Sequence, residues 1–129
     1  MNLTDSIVVT AVSRYQEEQS APEQARYVFS YTITIENRGD TPAQLLTRHW
    51  LITDSNGSVQ EVHGDGVIGE QPVIAPGAKH TYSSGAILKT PVGTMEGTYG
   101  MKTATGNSSE ERFDARIPVF RLAIPDILN

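Results

Sequence analysis

The sequence contains no cysteine, and this absence excludes disulfides, thiolate zinc sites and a cysteine nucleophile. It also lacks a long apolar run, and its start, MNLTDSIVV, lacks the basic region of a signal peptide. We therefore expect a cytoplasmic protein that does not enter a membrane. Basic residues are fewer than acidic ones, and the net charge of −5 disfavours binding to nucleic acid or to anionic membranes.

The sequence also lacks the periodicity of an amphipathic helix. Apolar residues instead recur at every second position. In Arg26–Asn37 the apolar residues Tyr27, Phe29, Tyr31, Ile33 and Ile35 share one face, which predicts a long strand. Further strands are predicted at Ser6–Tyr15, Ala43–Asp54, Gly57–His63, Lys79–Leu88, Gly93–Ala104 and Glu111–Leu122. Short turns separate them, which predicts an all-β sandwich or barrel in a single domain over residues 1–129.

Three local features refine this expectation. The chain ends and the polar segment Gln16–Gln24 are predicted to be disordered. The core is predicted to contain Trp50, Phe29, Tyr31, Ile33 and Tyr99.

A two-residue turn at Asn56-Gly57 would place His63 opposite Trp50. A three-residue turn, Ser55–Gly57 with a left-handed Gly57, would place Val62 opposite Trp50 and Gln60 opposite Ile52. The second register is preferred because it pairs an apolar residue with the tryptophan.

The segment Gly64-Asp65-Gly66-Val67-Ile68-Gly69 matches G-x-G-x-x-G, the glycine pattern of dinucleotide-binding turns. Such a turn must open a helix, but Pro72 and Pro76 follow too closely for one. Gly64, Gly66 and Gly69 are therefore predicted to serve the backbone geometry of a structural loop. A small anion cradle of backbone N–H groups is the alternative. Asp65 and Glu70 oppose it, and no lysine stands beside the loop.

Candidates for metal binding and catalysis are sparse. His49, His63 and His80 could join Glu61, Asp65 or Glu70 in a divalent metal site, but none lies at a recognised ligand spacing such as H-x-x-x-H. The sequence therefore predicts no metal site and no tight Mg²⁺ binding, with at most a weak interaction of Co²⁺ with His63 or His80. No G-x-S-x-G elbow is present. We predict no catalytic residue and no cofactor.

Four stretches together are similar to the ApaG family. They are LLTRHWLITDSNG (45–57), EVHGDGVIGEQPVIAPG (61–77), SSGAILKTPVGTMEGTYGM (83–101) and IPVFRLAIP (117–125), long motifs in order along nearly the whole chain. The resemblance implies an immunoglobulin- or fibronectin-III-like antiparallel β-sandwich of seven or more strands. It also implies a small bacterial cytoplasmic protein associated with cobalt resistance and magnesium efflux.

The same resemblance leaves two classes of function open. Similar domains in eukaryotic F-box proteins and in a polymerase-interacting protein look like interaction modules, which implies a non-enzymatic domain that binds an unknown protein partner. Family members share the glycine triplet, for which binding of pyrophosphate or nucleotides has been suggested. That second implication concerns Gly64, Gly66 and Gly69 only, and weak pyrophosphate or nucleotide binding is its expected form. The first class is preferred.

Overall fold

The structure, a computed structural model, describes residues 2–106 and 109–125, which form eight strands, one short α-helix and two single turns of 3₁₀ helix. The helix α1 spans Leu3–Ser6. The strands are β1 (Ile7–Tyr15), β2 (Tyr27–Asn37), β3 (Ala43–Asp54), β4 (Val59–Asp65), β5 (Val73–Ile74), β6 (Lys79–Leu88), β7 (Val92–Thr103) and β8 (Arg112–Ala123). Every predicted strand is confirmed, with ends shifted slightly, and the short β5 is an addition.

The strands form two antiparallel sheets that pack face to face. The first sheet has the order β1-β2-β6, and the second has the order β4-β3-β7-β8 with β5 paired to the start of β3. This arrangement confirms the predicted immunoglobulin/fibronectin-III-like antiparallel β-sandwich. On one side of the sandwich β1 lies beside β8, and the Ser13 hydroxyl donates to the Arg121 carbonyl at 2.8 Å.

The core lies between the sheets and is built from the inward-facing residues of the long strands. All of the predicted core residues are buried: Trp50, Phe29, Tyr31, Ile33 and Tyr99. The Trp50 ring packs edge-on against those of Tyr99 and Phe120, with centroids 6.3 and 5.9 Å away. Aromatic pairs at such distances and angles add to the free energy gained from burying their area.

The β3–β4 hairpin has the preferred register of the two that the sequence allowed. Val62 lies opposite Trp50, and Gln60 lies opposite Ile52. Gly57 has a φ of +89°, so the left-handed residue of the three-residue turn is also where it was predicted. Turn length therefore fixed the register of this hairpin.

The disorder predicted for Gln16–Gln24 is wrong. Two turns of 3₁₀ helix, Glu17–Gln19 and Pro22–Gln24, fold this segment back on the start of β2. The Ser20 hydroxyl accepts the Val28 N–H at 2.8 Å, which satisfies a backbone group of the strand. The disorder predicted for the chain ends concerns in part residues 1 and 126–129, which lie outside the described residues.

Membrane insertion was not expected from the sequence. Within residues 2–106 and 109–125, no helix is long and apolar enough to cross a membrane.

Candidate functional site: a cleft beside the glycine loop

A β-bulge in β3 decides which of its side chains face the core. The register between β3 and β7 shifts between Leu45 and Thr47. Because of this extra residue, Leu45 and Trp50 are both buried although one is odd-numbered and the other even-numbered. Beyond the bulge Arg48 shares the inward face of Trp50, whereas His49 faces outward. Adjacent side chains of a strand always point to opposite faces, and the bulge decides that Arg48 rather than His49 is the one that faces inward.

The glycine loop, residues 64–69, is anchored to the carbonyl group of the bulge residue. The Leu46 carbonyl accepts the Gly66 N–H at 2.8 Å and the side-chain amide of Gln71 at 2.9 Å. Gly66 itself has a φ of +63°, and a Cβ at this position would lie 2.3 Å from the Glu70 carbonyl oxygen. A larger residue at position 66 would have to move the backbone.

The tip of the loop is a tight turn formed by Val67–Glu70. Val67 and Glu70 exchange backbone hydrogen bonds of 2.8 and 3.0 Å. The two central residues, Ile68 and Gly69, have φ values of +48° and +74°, as in a type I′ turn. Such turns favour asparagine, aspartate and glycine, so a β-branched isoleucine is strained there. Ile68 is nevertheless 63% exposed, whereas Val67 is buried in the core.

A cleft of about 280 Å³ opens between the sheets beside this turn. Both sheets and the loop contribute to its lining, which consists of Tyr31, Arg48, Trp50, Asp65, Val67, Ile68, Gly69, Tyr82 and Ser84. Nη1 of Arg48 donates to the carbonyl groups of Asp65 and Gly66, each at 3.0 Å. A Cβ on Gly64 would lie 2.6 Å from the Arg48 guanidinium, so the glycine makes room for it. The guanidinium is thereby held against the loop at the cleft wall.

Tyrosine hydroxyl groups supply the polar chemistry of the facing wall. The hydroxyls of Tyr82 and Tyr99 hydrogen-bond to each other across the two sheets. Burial raises the pKa of Tyr82 to about 12 and also raises the pKa of Tyr31 and of Tyr99 above the ordinary value. The positive charge of Arg48 lowers the pKa of each of the three tyrosines, but by less than burial raises it. The hydroxyls are therefore neutral near pH 7, and they donate and accept hydrogen bonds.

The loop meets the requirements of an anion cradle only in part. The N–H groups of Gly66, Val67 and Glu70 all donate to carbonyl groups of the chain, so they are not directed at an external anion. No lysine stands beside the loop in the sequence, but the guanidinium of Arg48 reaches it from the neighbouring strand. Attraction for an anion would come mainly from Arg48, and Asp65 in the same cleft opposes it.

A second group of polar side chains lies on the outward face of the β3–β4 hairpin. His49 lies opposite His63, and their rings stack at 4.2 Å with an interplanar angle of 11°. Oε2 of Glu61 is 2.7 Å from Nε2 of His49 and 3.5 Å from Nε2 of His63. The hydrogen bond to His49 holds the pKa of Glu61 below its ordinary value. His80, by contrast, lies on β6 of the other sheet.

Comparison with known proteins identifies the family. A family model described as the ApaG domain matches residues 17–103, a span that includes the cleft loop, Arg48 and the hairpin histidines. The chain belongs to the ApaG family. It is 61% identical over 117 residues to the protein ApaG of Pseudomonas aeruginosa (strain UCBPP-PA14), covering 91% of this chain and 90% of that protein. It is 57% identical over 123 residues to ApaG of Ectopseudomonas mendocina, covering 95% and 94% respectively.

Solved structures of similar sequence share the fold of this ApaG-family chain. The X-ray structure of a structural genomics target is 51% identical with a TM-score of 0.90, and the match covers 98% of this chain and 93% of that one. The crystal structure of a Bordetella pertussis protein is 46% identical with a TM-score of 0.87, and the match covers 94% and 95% respectively. The resemblance to the ApaG family seen in the sequence is therefore confirmed.

Two cleft residues, Arg48 and Ile68, had not been singled out from the sequence of this ApaG-family chain. A signal for Arg48 was present, because the apolar pattern of β3 changes from odd to even numbers after Leu45, as it does at a bulge. The pairing of His49 with His63 also follows from the predicted hairpin register. The strain at Ile68 had no such signal, since the position of its turn depends on how the loop docks on the bulge.

Proposed function

We propose that the chain is a non-enzymatic binding domain that engages a protein partner at the cleft, with Ile68 as the apolar contact and Arg48 as the charged anchor. The observation that carries this proposal is the conformation of Ile68. An exposed β-branched residue occupies a left-handed turn position that asparagine or glycine would take with less strain. A strained residue that the fold itself does not need points to a role outside the fold.

The cost of keeping Ile68 can be set against what it contributes to the folded chain. A left-handed conformation costs a residue with a Cβ about 1–2 kcal/mol. The side chain is mostly exposed, so little of this cost is offset by burial, and the apolar anchor of the turn is Val67 instead. Contact with a partner would bury the Ile68 side chain and account for its presence.

The composition of the cleft fits a protein contact. Arginine, tyrosine and tryptophan dominate binding hot spots, and Arg48, Tyr82, Tyr31 and Trp50 surround this cleft. A volume of about 280 Å³ admits one inserted side chain rather than a large ligand. The guanidinium of Arg48 favours an inserted carboxylate, which would also approach the neutral tyrosine hydroxyl groups. We therefore infer a partner segment with an acidic side chain.

The wider role implied by the family resemblance forms part of the same proposal. The resemblance links the family to cobalt resistance and magnesium efflux, and the chain would affect both indirectly, through a partner that it binds in the cytoplasm. Membership of the ApaG family supports this extension. A catalytic role is disfavoured by the chemistry of the cleft, because burial keeps its tyrosine hydroxyls protonated and therefore poor nucleophiles.

Binding of pyrophosphate or a nucleotide at the cleft is the second candidate. The presence of Arg48 beside the glycine loop favours it, because a guanidinium pairs well with phosphate oxygens. Asp65 and the internal hydrogen bonds of the loop amides weigh against it. Any affinity for pyrophosphate is therefore expected to be on the order of 1 mM and to rise when Asp65 is replaced by alanine.

The partner proposal is tested by capture on matched variants. The parent chain, Ile68→Asn, Arg48→Gln and Val12→Asn are immobilised and exposed to lysate of the native host, and bound proteins are identified by mass spectrometry. Val12 is an apolar residue of similar exposure on β1 that does not line the cleft, so it serves as the control. A partner that binds the parent and Val12→Asn, but neither cleft variant, is the expected result.

Two further measurements distinguish partner binding from pyrophosphate binding. Ile68→Asn should raise the free energy of unfolding by about 1 kcal/mol while it abolishes partner capture, since it relieves the left-handed strain. Phosphorus NMR titration of pyrophosphate measures the second candidate directly. Capture that is equal for all four proteins, or micromolar pyrophosphate binding that Arg48→Gln removes, would contradict the partner proposal.

A further inference from the structure

The outward face of the β3–β4 hairpin carries a cluster that the cleft does not use. His49, Glu61 and His63 each offer one ligand atom there, and these atoms lie within 4.8 Å of one another. Among residues 2–106 and 109–125, no other three histidine, aspartate or glutamate side chains bring their ligand atoms together in this way. His49 and Arg48 point to opposite sides of the sheet, so the cluster is separate from the cleft.

The two distances from Glu61 to the histidine nitrogens bracket the separation expected between ligands of a tetrahedral metal ion. Two ligand atoms that are each about 2.1 Å from a tetrahedral zinc ion lie about 3.4 Å apart. The Glu61 oxygen is 2.7 Å from the His49 nitrogen and 3.5 Å from the His63 nitrogen. A small rotation of the exposed Glu61 side chain would make these separations more equal. The rings of His49 and His63 are stacked, so the exposed His63 ring must also turn about its side-chain bonds for both nitrogens to face one ion, which requires no change in the backbone.

The backbone holds this arrangement in place. His49 and His63 are paired directly across two neighbouring strands, and the short Ser55–Gly57 turn fixes their register. Glu61 precedes His63 by two positions, so it lies on the same face of β4. The spacing rule H-x-x-x-H, on which the sequence predicted no metal site, describes ligands on a helix. In a hairpin the cross-strand register decides which residues meet.

We propose that His49, Glu61 and His63 form a reversible binding site for one divalent transition-metal ion of the zinc type. Two imidazole nitrogens and one carboxylate suit Zn²⁺, Cu²⁺ or Ni²⁺, whereas Mg²⁺ prefers oxygen ligands alone. Water would complete the coordination, because the side chains of Glu61 and His63 are 54% and 69% exposed. Such exposure lets the ion exchange readily, in contrast to a closed structural zinc site.

Calorimetric titration of the full chain with Zn²⁺ alone tests the site. One ion per chain is expected, and His63→Ala and His49→Gln should each lower the affinity by about tenfold or more, since each removes one of three protein ligands. His80→Ala is the matched control, because it removes the remaining histidine from the other sheet and should leave the affinity unchanged. Arg48→Gln should also leave it unchanged, which separates this test from that of the cleft.

Localisation by NMR completes the experiment. Trace Cu²⁺, which is paramagnetic and prefers imidazole, should broaden the amide signals around residues 49, 61 and 63 and leave those around 80 sharp. Circular dichroism of His63→Ala should match the parent, since the side chain is exposed. The proposal would be overturned if the parent and His63→Ala had the same zinc affinity, or if the parent were saturated only above millimolar Zn²⁺. It would also be overturned if the NMR broadening were centred on His80.

Discussion

The guanidinium of Arg48 lies directly over the backbone of Gly64, where the Cβ of any other residue would be 2.6 Å from its Cζ atom. The first glycine of the G-x-G-x-x-G pattern is thus explained by an arginine on the adjacent strand rather than by a phosphate. Arg48 in turn hydrogen-bonds to the carbonyl groups of Asp65 and Gly66, so strand and loop hold each other in position.

Gly64→Ala should displace the Arg48 side chain and leave the fold in place. The atoms that would clash are the far end of a flexible side chain, which can move at modest cost. We expect a loss of about 1 kcal/mol in the free energy of unfolding, the usual size for a lost hydrogen bond. Urea denaturation measures it, and capture of the partner should weaken as in Arg48→Gln. A loss as large as that of a core truncation would show that the arginine cannot move.

Gly66→Ala and Gly69→Ala form a matched pair with different expected costs. Both glycines have positive φ, but only at Gly66 would a Cβ collide with backbone, 2.3 Å from the Glu70 carbonyl oxygen. Gly69→Ala should therefore cost about 1 kcal/mol, and Gly66→Ala about 2–4 kcal/mol. Denaturation midpoints of the two variants check the order. Equal midpoints would mean that the loop can shift away from the collision.

Trp50→Ala should remove much of the stability of the sandwich. The indole is 2% exposed and contacts aromatic rings on both sheets, so its loss leaves a cavity that the sheets cannot close. Truncation of a buried aromatic residue costs about 3–5 kcal/mol, out of a typical total of about 5–15 kcal/mol. Thermal unfolding followed by circular dichroism measures it. Trp50→Phe retains an aromatic ring and should lose less.

The buried tyrosines should make the protein sensitive to alkali. The pKa of Tyr82 is raised by burial to about 12, and those of Tyr31 and Tyr99 are also raised. In the unfolded chain a tyrosine ionises near pH 10. The stability that these groups contribute is therefore complete below about pH 10 and is lost as the pH rises toward about 12.

Absorbance at 295 nm, recorded against pH, checks this prediction. Of the five tyrosines in the chain, three should ionise later than an ordinary tyrosine, together with the loss of the circular dichroism signal. Tyr99→Phe should reduce the number of late-ionising groups and make stability less dependent on pH in this range. Ionisation of all five near pH 10 in the folded protein would contradict the burial of these hydroxyls.

Most of the fold could be predicted from the sequence, and the site only in part. The β2 strand was evident from its alternating residues, and the hairpin register followed from the turn at Ser55–Gly57, because both signals are local. The glycine triplet pointed to the loop of residues 64–69, which lies beside the cleft. Arg48 was missed because its partner loop lies well beyond it in the chain, and Gln16–Gln24 was misjudged because its hydrogen bonds are made to β2.

The sequence by itself determined which segments are strands, how the chain turns between them and which residues are apolar enough to form the core. The tertiary structure alone decided which polar side chains meet at the cleft. One bulge residue in β3 reverses the faces of Arg48 and His49, and docking of the glycine loop on the Leu46 carbonyl creates both the cleft and the strain at Ile68. Alternation, the bulge and turn formation depend on neighbouring residues, whereas docking of the loop depends on packing between segments far apart in the chain, which no local pattern records.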